Sequence, residues 1–192
     1  MTSAPHPLDN LSADELRRTA AIIRKKHGNI HFVFNTITLK EPERDQMMAY
    51  FGWDQSKPKP LGIEREALVV LIDRPSGQVH QVTISLTRDV ITDWIKIDNQ
   101  QPTVTIFEMI EAEEAMRADS RVIEECHKLG ITDMSTVYVD PWGIGHSDIK
   151  GKRLVQAIMY IRTSPDDNQY AHPLDIHPLY GMAELLLMKR MN

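Results

Sequence analysis

The spacing of the histidines indicates whether the chain could bind a metal, because a zinc or copper site needs two or three imidazole, thiolate or carboxylate donors that converge on one point. The chain has eight histidines and one cysteine. It contains no His-x-His pair, the arrangement that presents two imidazoles from one strand. His27 and His31 are four residues apart, but a Gly-Asn pair between them interrupts the helix. His80, His127 and His146 stand alone, so the histidine spacing predicts no metal site.

Two further histidines lie in the stretch HPLDIHPLYG, from His172 to Gly181. Both His172 and His177 precede a proline, which holds the residue before it in an extended conformation. The stretch fits a metal-binding pair or an extended connector, and the proline punctuation favours the connector. The phrase HPLD also occurs at His6, near the start of the chain.

Other catalytic motifs are equally sparse. The stretch GIGHSDIKGK, residues 143–152, is rich in glycine but fits neither the Walker nor the dinucleotide pattern, and a hairpin loop explains it better. The sequence contains no Gly-x-Ser-x-Gly elbow. The acidic residues lie on predicted helix faces, where solvation is expected. Cys126 is predicted to be a buried structural thiol, and Trp53, Trp94 and Trp142 to be packing anchors. No catalytic, cofactor-binding or metal-binding residue is predicted.

Composition narrows the class of protein. The 192 residues are 42% hydrophobic and 26% charged, with a net charge of -5 and scattered basic residues. This composition is typical of a globular chain that binds no nucleic acid. There is no signal-peptide pattern and no apolar run long enough to span a membrane. With its single cysteine, the chain is expected to be intracellular, cytoplasmic or peroxisomal, although its last residues, KRMN, are not a peroxisomal address.

The first half of the chain predicts a helix followed by an antiparallel sheet. Residues 11–28 have a capping box formed by Ser12 and Glu15, and a glycine stop. A strand at 29–39 and a short helix at 41–53 follow. Strands on either side of the RPSG turn and a further strand at 90–97 then form a meander, whose apolar side the first helix covers.

After a polar break at residues 98–102, the same order returns. Residues 105–130 predict two helices divided at Asp119. Strands follow at 135–140 and 153–163. One face of the second helix is predicted to be apolar, with Val122, Ile123, Cys126 and Leu129. The repeated order predicts two tandem small α+β domains.

Several phrases together resemble the N-terminal region of the copper-containing, topaquinone-dependent amine oxidases, especially the fungal and microbial branch. They are HPLDNLSADEL, ITLKEPERD, QPTVTIFEMIEAEEAMRADSRV, VDPWGIG and RLVQAIMYIRTSPDDNQYAHPLD, and they occur in the family's order from about Pro5 to Asp175. The resemblance implies two cystatin-like domains, each a helix packed on an antiparallel sheet.

The same resemblance implies that full-length relatives continue into a large β-sandwich domain that carries the chemistry. There a tyrosine in an Asn-Tyr-Asp/Glu-Tyr phrase becomes topaquinone, three histidines hold copper and an aspartate acts as base. A primary amine and oxygen become aldehyde, ammonia and hydrogen peroxide. None of these residues maps onto this chain, because no tyrosine has that setting: Tyr50, Tyr138, Tyr160, Tyr170 and Tyr180 all lack it. The catalytic sandwich is expected to be absent and the chain inactive alone, with no cofactor of its own.

The expected domain limits are 1–98, 99–175 and a divergent helical tail at 176–192. The favoured function is a non-catalytic N-terminal fragment of a copper amine oxidase, arising as a truncated product, a misread gene or a deliberate fragment. Its expected partner is the missing catalytic domain or a second subunit, since the family is homodimeric. The alternative is a stand-alone interaction module that docks on a partner such as a full-length subunit, and an independent enzyme is the least favoured hypothesis.

Overall fold

The computed structural model describes residues 5–28, 31–74, 76–144, 153–174 and 182–184. The chain divides into two compact units, Met1–Gln100 and Gln101–Asn192. Each unit is α+β and contains an antiparallel sheet of its own, which confirms the predicted fold class. Within these ranges, no helix has the length and apolar character needed to cross a membrane.

In the first unit, helix α1 spans Ala13–His27 and begins at the predicted capping box. The Glu15 amide donates to Ser12 Oγ (3.3 Å) and the Ser12 amide donates to Glu15 Oε2 (2.8 Å), so two amides at the helix start are paired. Gly28 ends the helix with φ at 63°, a conformation that favours glycine. Strand β1 (Phe32–Lys40) and helix α2 (Arg44–Tyr50) follow.

Strands β2 (Glu66–Asp73), β3 (Val79–Ser85) and β4 (Val90–Ile97) complete the first sheet, whose order is β1-β2-β3-β4 with every neighbour antiparallel. Alternate residues of β2 and β3 point to one face of the sheet, and the buried Ile23 of α1 packs on that face. The core cluster consists of Ile23, Ala67, Val69, Leu71, Val82, Ile84 and Leu86. The first helix therefore covers the sheet, as predicted.

The second unit begins with helices α3 (Ile106–Ala118) and α4 (Ser120–Lys128), which meet at Asp119 as predicted. A 3-10 turn (Met134–Thr136) leads into β5 (Val137–Gly143), which pairs antiparallel with β6 (Leu154–Ile161) as the predicted hairpin. Two short strands, β7 (His172–Pro173) and β8 (Met182–Glu184), pair with β6. The core cluster consists of Met116, Val122, Cys126, Val137, Val139, Ala157 and Met159.

The two sheets share a common plan. In each unit the second strand, β2 or β6, is antiparallel to the strand before it. β3 lies on the opposite edge of β2, and β7 and β8 together lie on the opposite edge of β6. The repeat that the sequence suggested therefore extends to strand pairing.

Several local predictions were wrong. Met182–Glu184 form strand β8, although the tail was predicted to be helical, because pairing along the open edge of β6 outweighs a weak local preference. Leu129 follows the last residue of α4 and is exposed, so it does not belong to the helix's apolar face. Trp53 and Trp142 are 68% and 60% exposed, so only Trp94 packs on a core cluster.

The predicted limits 1–98, 99–175 and 176–192 stay predictions. His172 lies in strand β7, at the edge of a sheet, and not in a free connector. His146, His177, Tyr180 and most of the 143–152 loop lie outside the described residues, as does the tail apart from β8.

Candidate functional site

The most deeply buried charged pair in the described residues joins Glu108 and Arg153, whose side chains are 2% and 5% exposed. Glu108 is the third residue of α3 and belongs to its capping box: Glu108 Oε2 accepts from the Thr105 amide (2.7 Å) and hydroxyl (2.9 Å). Arg153 immediately precedes β6. The pair therefore connects the start of the helix to the start of the second strand.

Every N–H of the Arg153 guanidinium is used. Nε donates to Glu108 Oε1, and Nη2 donates to Glu108 Oε2 (2.7 Å) and to the Thr103 carbonyl (3.1 Å). Nη1 donates to the Pro102 carbonyl (2.9 Å) and to Gln101 Oε1 (3.2 Å). A guanidinium has five N–H groups, so none remains for an anionic ligand. We call this group of residues the Arg153 clamp.

The electrostatics of the Arg153 clamp are those of a structural ion pair. Burial raises the pKa of Glu108, but the hydrogen bonds from Arg153 and Thr105 outweigh burial and hold that pKa below its usual value. A general base or acid needs a pKa near the working pH, whereas Glu108 stays ionised and fully paired. The Arg153 clamp is therefore suited to holding the fold and not to proton transfer.

A cleft of about 430 Å³ lies beside the Arg153 clamp. Its walls include Val104, Met109, Trp142, Leu154 and the guanidinium-bearing Arg153. The exposed Trp142 indole donates to Asp140 Oδ2 (2.8 Å), which fixes the ring at the cleft margin. Because Arg153 has no free donor, the described walls of the cleft offer a mainly apolar surface, and none of their side chains is placed for chemistry.

The first unit repeats the same arrangement with Arg65, the residue immediately before β2. Arg65 Nε donates to Glu15 Oε1, and Nη2 donates to Glu15 Oε2 (3.2 Å). Nη2 also donates to the Asp9 and Asn10 carbonyls, both at 2.9 Å. We call this group the Arg65 clamp. Chiefly through the Arg65 hydrogen bond, it lowers the pKa of Glu15 from 4.5 to about 2.

The two clamps correspond residue by residue when counted from the helix cap, Ser12 or Thr105. The carboxylate belongs to the third residue after the cap in both units. The accepting carbonyls belong to the second and third residues before the cap. One acceptor differs. The fourth residue before the cap is Gln101 in the second unit and Leu8 in the first. Accordingly Nη1 of Arg65 is buried and has no hydrogen-bond partner in the part of the chain that the structure describes.

A second group of polar side chains lies among aromatic rings in the first unit. The His27 ring lies 4.1 Å from the Trp94 ring, and the Trp94 indole donates to His80 Nδ1 (3.0 Å). Phe32 contacts all three rings. Both histidines are half-buried, and this burial lowers their pKa, which favours the neutral imidazole.

The tyrosines of the second unit are also packed together. Tyr170 contacts Tyr138 and Tyr160 edge-on, and the hydroxyls of Tyr138 and Tyr170 lie 3.3 Å apart. This hydrogen bond, with burial, raises the pKa of Tyr138 to about 12. His172 Nε2 lies 3.0 Å from Asp167 Oδ2. These contacts fix the end of β6 and the turn before β7.

The sequence did not predict the clamps. It gave the Ser12 capping box but treated acidic side chains on helices as solvated, and Glu108 is buried. Two signals were present: a Thr-x-x-Glu phrase at Thr105, and an arginine at the start of an apolar strand in each half, with Glu66 between Arg65 and the apolar run. Neither signal shows that a side chain 45 or more residues away completes the cap.

The comparisons with known proteins agree with this paired architecture. The family model for the copper amine oxidase N2 domain matches residues 6–97, and that for the copper amine oxidase N3 domain matches residues 107–190. The chain therefore belongs to the copper amine oxidase family. Within it, the first unit is similar to the N2 domain and the second to the N3 domain.

The relatives are considerably longer than this chain. Copper amine oxidase 1 of Schizosaccharomyces pombe is 38% identical over 90% of this chain and 24% of its own length. Peroxisomal primary amine oxidase of Pichia angusta is 35% identical over 90% of this chain and 25% of its own. The crystal structure of a copper-containing benzylamine oxidase from Hansenula polymorpha has a TM-score of 0.72 and 25% identity, covering 88% of this chain and 27% of that one. The chain thus spans about a quarter of the relatives it matches.

The described residues do not fit the family's copper. Across these ranges, no three His, Cys, Asp or Glu side chains are grouped so that they could hold a metal ion. His27 and His80 face aromatic rings, and Cys126 is buried in the core with its pKa raised by burial. In the second unit, Tyr138, Tyr160 and Tyr170 pack on one another. No step of amine oxidation is therefore assigned to these residues.

Proposed function

We propose that the chain forms the two non-catalytic N-terminal domains of a copper amine oxidase. The remaining polypeptide of that enzyme converts primary amines and oxygen to aldehyde, ammonia and hydrogen peroxide. The observation that carries the proposal is the match of the N2 and N3 family models, in that order, to residues 6–97 and 107–190.

The geometry of the clamps supports a structural role. The most deeply buried charges among the described residues join a helix cap to a strand, and Arg153 has every donor engaged within its own domain. A catalytic group needs an open coordination or hydrogen-bonding position for substrate. The Arg153 clamp offers none, which is what a scaffold domain requires.

The partner in this proposal is the catalytic part of the same polypeptide, assembled as a homodimer. Copper and topaquinone belong to that part and not to these two domains. A peroxisomal location is proposed because the Pichia angusta relative is named a peroxisomal enzyme. No comparison supports the alternative of a stand-alone interaction module.

The proposal is tested by joining this chain to the catalytic portion of the Schizosaccharomyces pombe relative in place of that enzyme's own matched region. We expect the copper-loaded fusion to release hydrogen peroxide from methylamine or benzylamine. We expect the chain alone, loaded with copper in the same way, to release none. The intact relative is the positive control, and amine-dependent peroxide release by the chain alone would contradict a non-catalytic role.

A further inference from the structure

The outer face of α3 is apolar and exposed over its first two turns. Ile106, Phe107 and Ile110 are 63%, 72% and 48% exposed. The opposite face of the helix carries Glu108 and Ala112, which are buried. Residues at these spacings share one side of a helix, so the three exposed side chains form one surface. We call it the α3 outer patch.

Two of the three matching positions of α1 are polar, and the third, which corresponds to Ile106, is Ala13. Counted from the caps Ser12 and Thr105, Phe107 corresponds to Asp14 and Ile110 to Arg17. Asp14 and Arg17 form an exposed ion pair, with Arg17 Nη1 2.7 Å from Asp14 Oδ1. Both helices carry the same capping box and the same clamp, so the fold accepts charges at these positions.

The apolar side chains of the α3 outer patch are left largely exposed by the described residues of their own domain. Exposed apolar side chains that lie together, on a helix whose other face already meets the core, are typical of an interaction surface. The comparison between α1 and α3 indicates that the fold itself does not require apolar side chains at these positions. Contact with another surface is the remaining explanation for them.

We propose that the α3 outer patch docks on the polypeptide that follows these two domains in the longer enzyme, at an apolar surface bordered by basic side chains. This inference rests on the proposed function and goes beyond it by naming the contact surface. About three quarters of the Schizosaccharomyces pombe relative lies outside the matched region and supplies the polypeptide required.

Charge identifies the kind of surface that fits. Glu111 and Glu114 are exposed on α3 next to the α3 outer patch. A second copy of this chain, docked through the same face, would bring acidic side chains against acidic side chains, which is unfavourable. A surface with lysine or arginine at its border complements the patch and its acidic neighbours.

The test compares the chain alone with the fusion described above. The double variant Phe107→Asp/Ile110→Arg gives α3 the residues that α1 has at the matching positions. The matched control is Leu61→Asp, because Leu61 is an apolar residue that is fully exposed outside the patch. We expect hydroxyl-radical labelling of Phe107 to fall severalfold in the fusion relative to the chain alone. We expect the double variant to leave the melting temperature of the chain within about 2 °C and to lower that of the fusion by more than about 4 °C. Leu61→Asp should change neither.

Each other outcome overturns the inference. Equal labelling of Phe107 in the chain and in the fusion means that the α3 outer patch is uncovered. Concentration-dependent dimers of the chain alone that the double variant abolishes, seen by sedimentation, assign the patch to a second copy. Peroxide release is scored separately: a fusion that protects Phe107 but releases no peroxide contradicts the proposed function and leaves the docking contact standing.

Discussion

At the scale of single residues, Arg65 and Arg153 show how one arginine can complete a helix cap from a distant strand. The capping box pairs two amides, and the arginine pairs the capping carboxylate and two carbonyls of the chain that leads into the helix. Removing the arginine would leave a carboxylate without its cation, and in the more buried Arg153 clamp that costs about 3–5 kcal/mol. The arginine is therefore as much a part of the helix start as the cap itself.

Leu8→Gln should stabilise the first unit. The glutamine supplies the acceptor that Nη1 of Arg65 lacks and that Gln101 provides to Arg153. Leu8 is 42% exposed, so little apolar burial is lost. We expect a gain of about 1 kcal/mol in the free energy of unfolding, measured by urea titration.

Leu8→Ala is the control for this change, because it removes the leucine without adding an acceptor. The reciprocal variant Gln101→Leu should destabilise the second unit by about 1 kcal/mol. If Leu8→Gln and Leu8→Ala behave alike, the unpaired Nη1 is not a defect of the Arg65 clamp.

Glu15 should make the first unit acid-sensitive. Its pKa is lowered in the folded chain from 4.5 to about 2, so the carboxylate stabilises the fold at any pH above its ordinary value. That stability is lost as the pH falls from about 4.5 through about 2, and amounts to about 3 kcal/mol. The check is amide exchange of α1 across this pH range, with Glu15→Gln as the variant that should lose most of the dependence.

At the scale of elements, α4 depends on a cap and on a core contact. Asp119 ends α3 and caps α4, and its Oδ1 accepts from the Arg121 amide at 2.8 Å. The Arg121 side chain also pairs with this carboxylate, and mainly for that reason the pKa of Asp119 falls to about 2. Inside the unit, α4 places Val122 and Cys126 against the sheet.

Replacing Asp119 by alanine should cost about 1 kcal/mol of stability, because the amides of the first turn of α4 lose their acceptor. Asp119→Asn should cost much less, since an amide oxygen caps almost as well and an exposed ion pair contributes little. Thermal unfolding followed by circular dichroism separates the two variants. An equally large loss for asparagine would assign the effect to the Arg121 pair and not to the cap.

Cys126 reports the opening of the second unit. Its thiol is fully buried and burial raises its pKa, so native chains should react with iodoacetamide only through unfolding. We expect labelling at pH 8 to be slow in water and to accelerate in urea. Arg153→Met should accelerate labelling in water as well. Rapid labelling of the unaltered chain would show that α4 does not hold the thiol against the sheet.

At the scale of the whole molecule, the features that the sequence predicted correctly are ones with a local signal. The limits of α1, the division at Asp119 and the β5–β6 hairpin follow from caps, glycines and alternation, all visible within a few residues. Of the Arg65 clamp, only the capping box could be predicted, because Glu15 lies close to its cap in the sequence. Its partner Arg65 is 50 residues away. The exposure of Trp142 and the short strand β8 depend on which surfaces meet in three dimensions, and no local pattern states that.

The Arg65 clamp also leads to a prediction about the kinetics of the first unit. Arg65 reaches Glu15 only when α1 has its first turn and β2 lies in place in the sheet, so this contact closes late in folding. An interaction absent from the transition state slows unfolding without changing the folding rate. Arg65→Met should therefore raise the unfolding rate and leave the refolding rate unchanged. In stopped-flow kinetics, the unfolding limb should rise while the refolding limb stays the same. Such a contact prolongs the lifetime of a completed domain and leaves the speed of its formation unaffected.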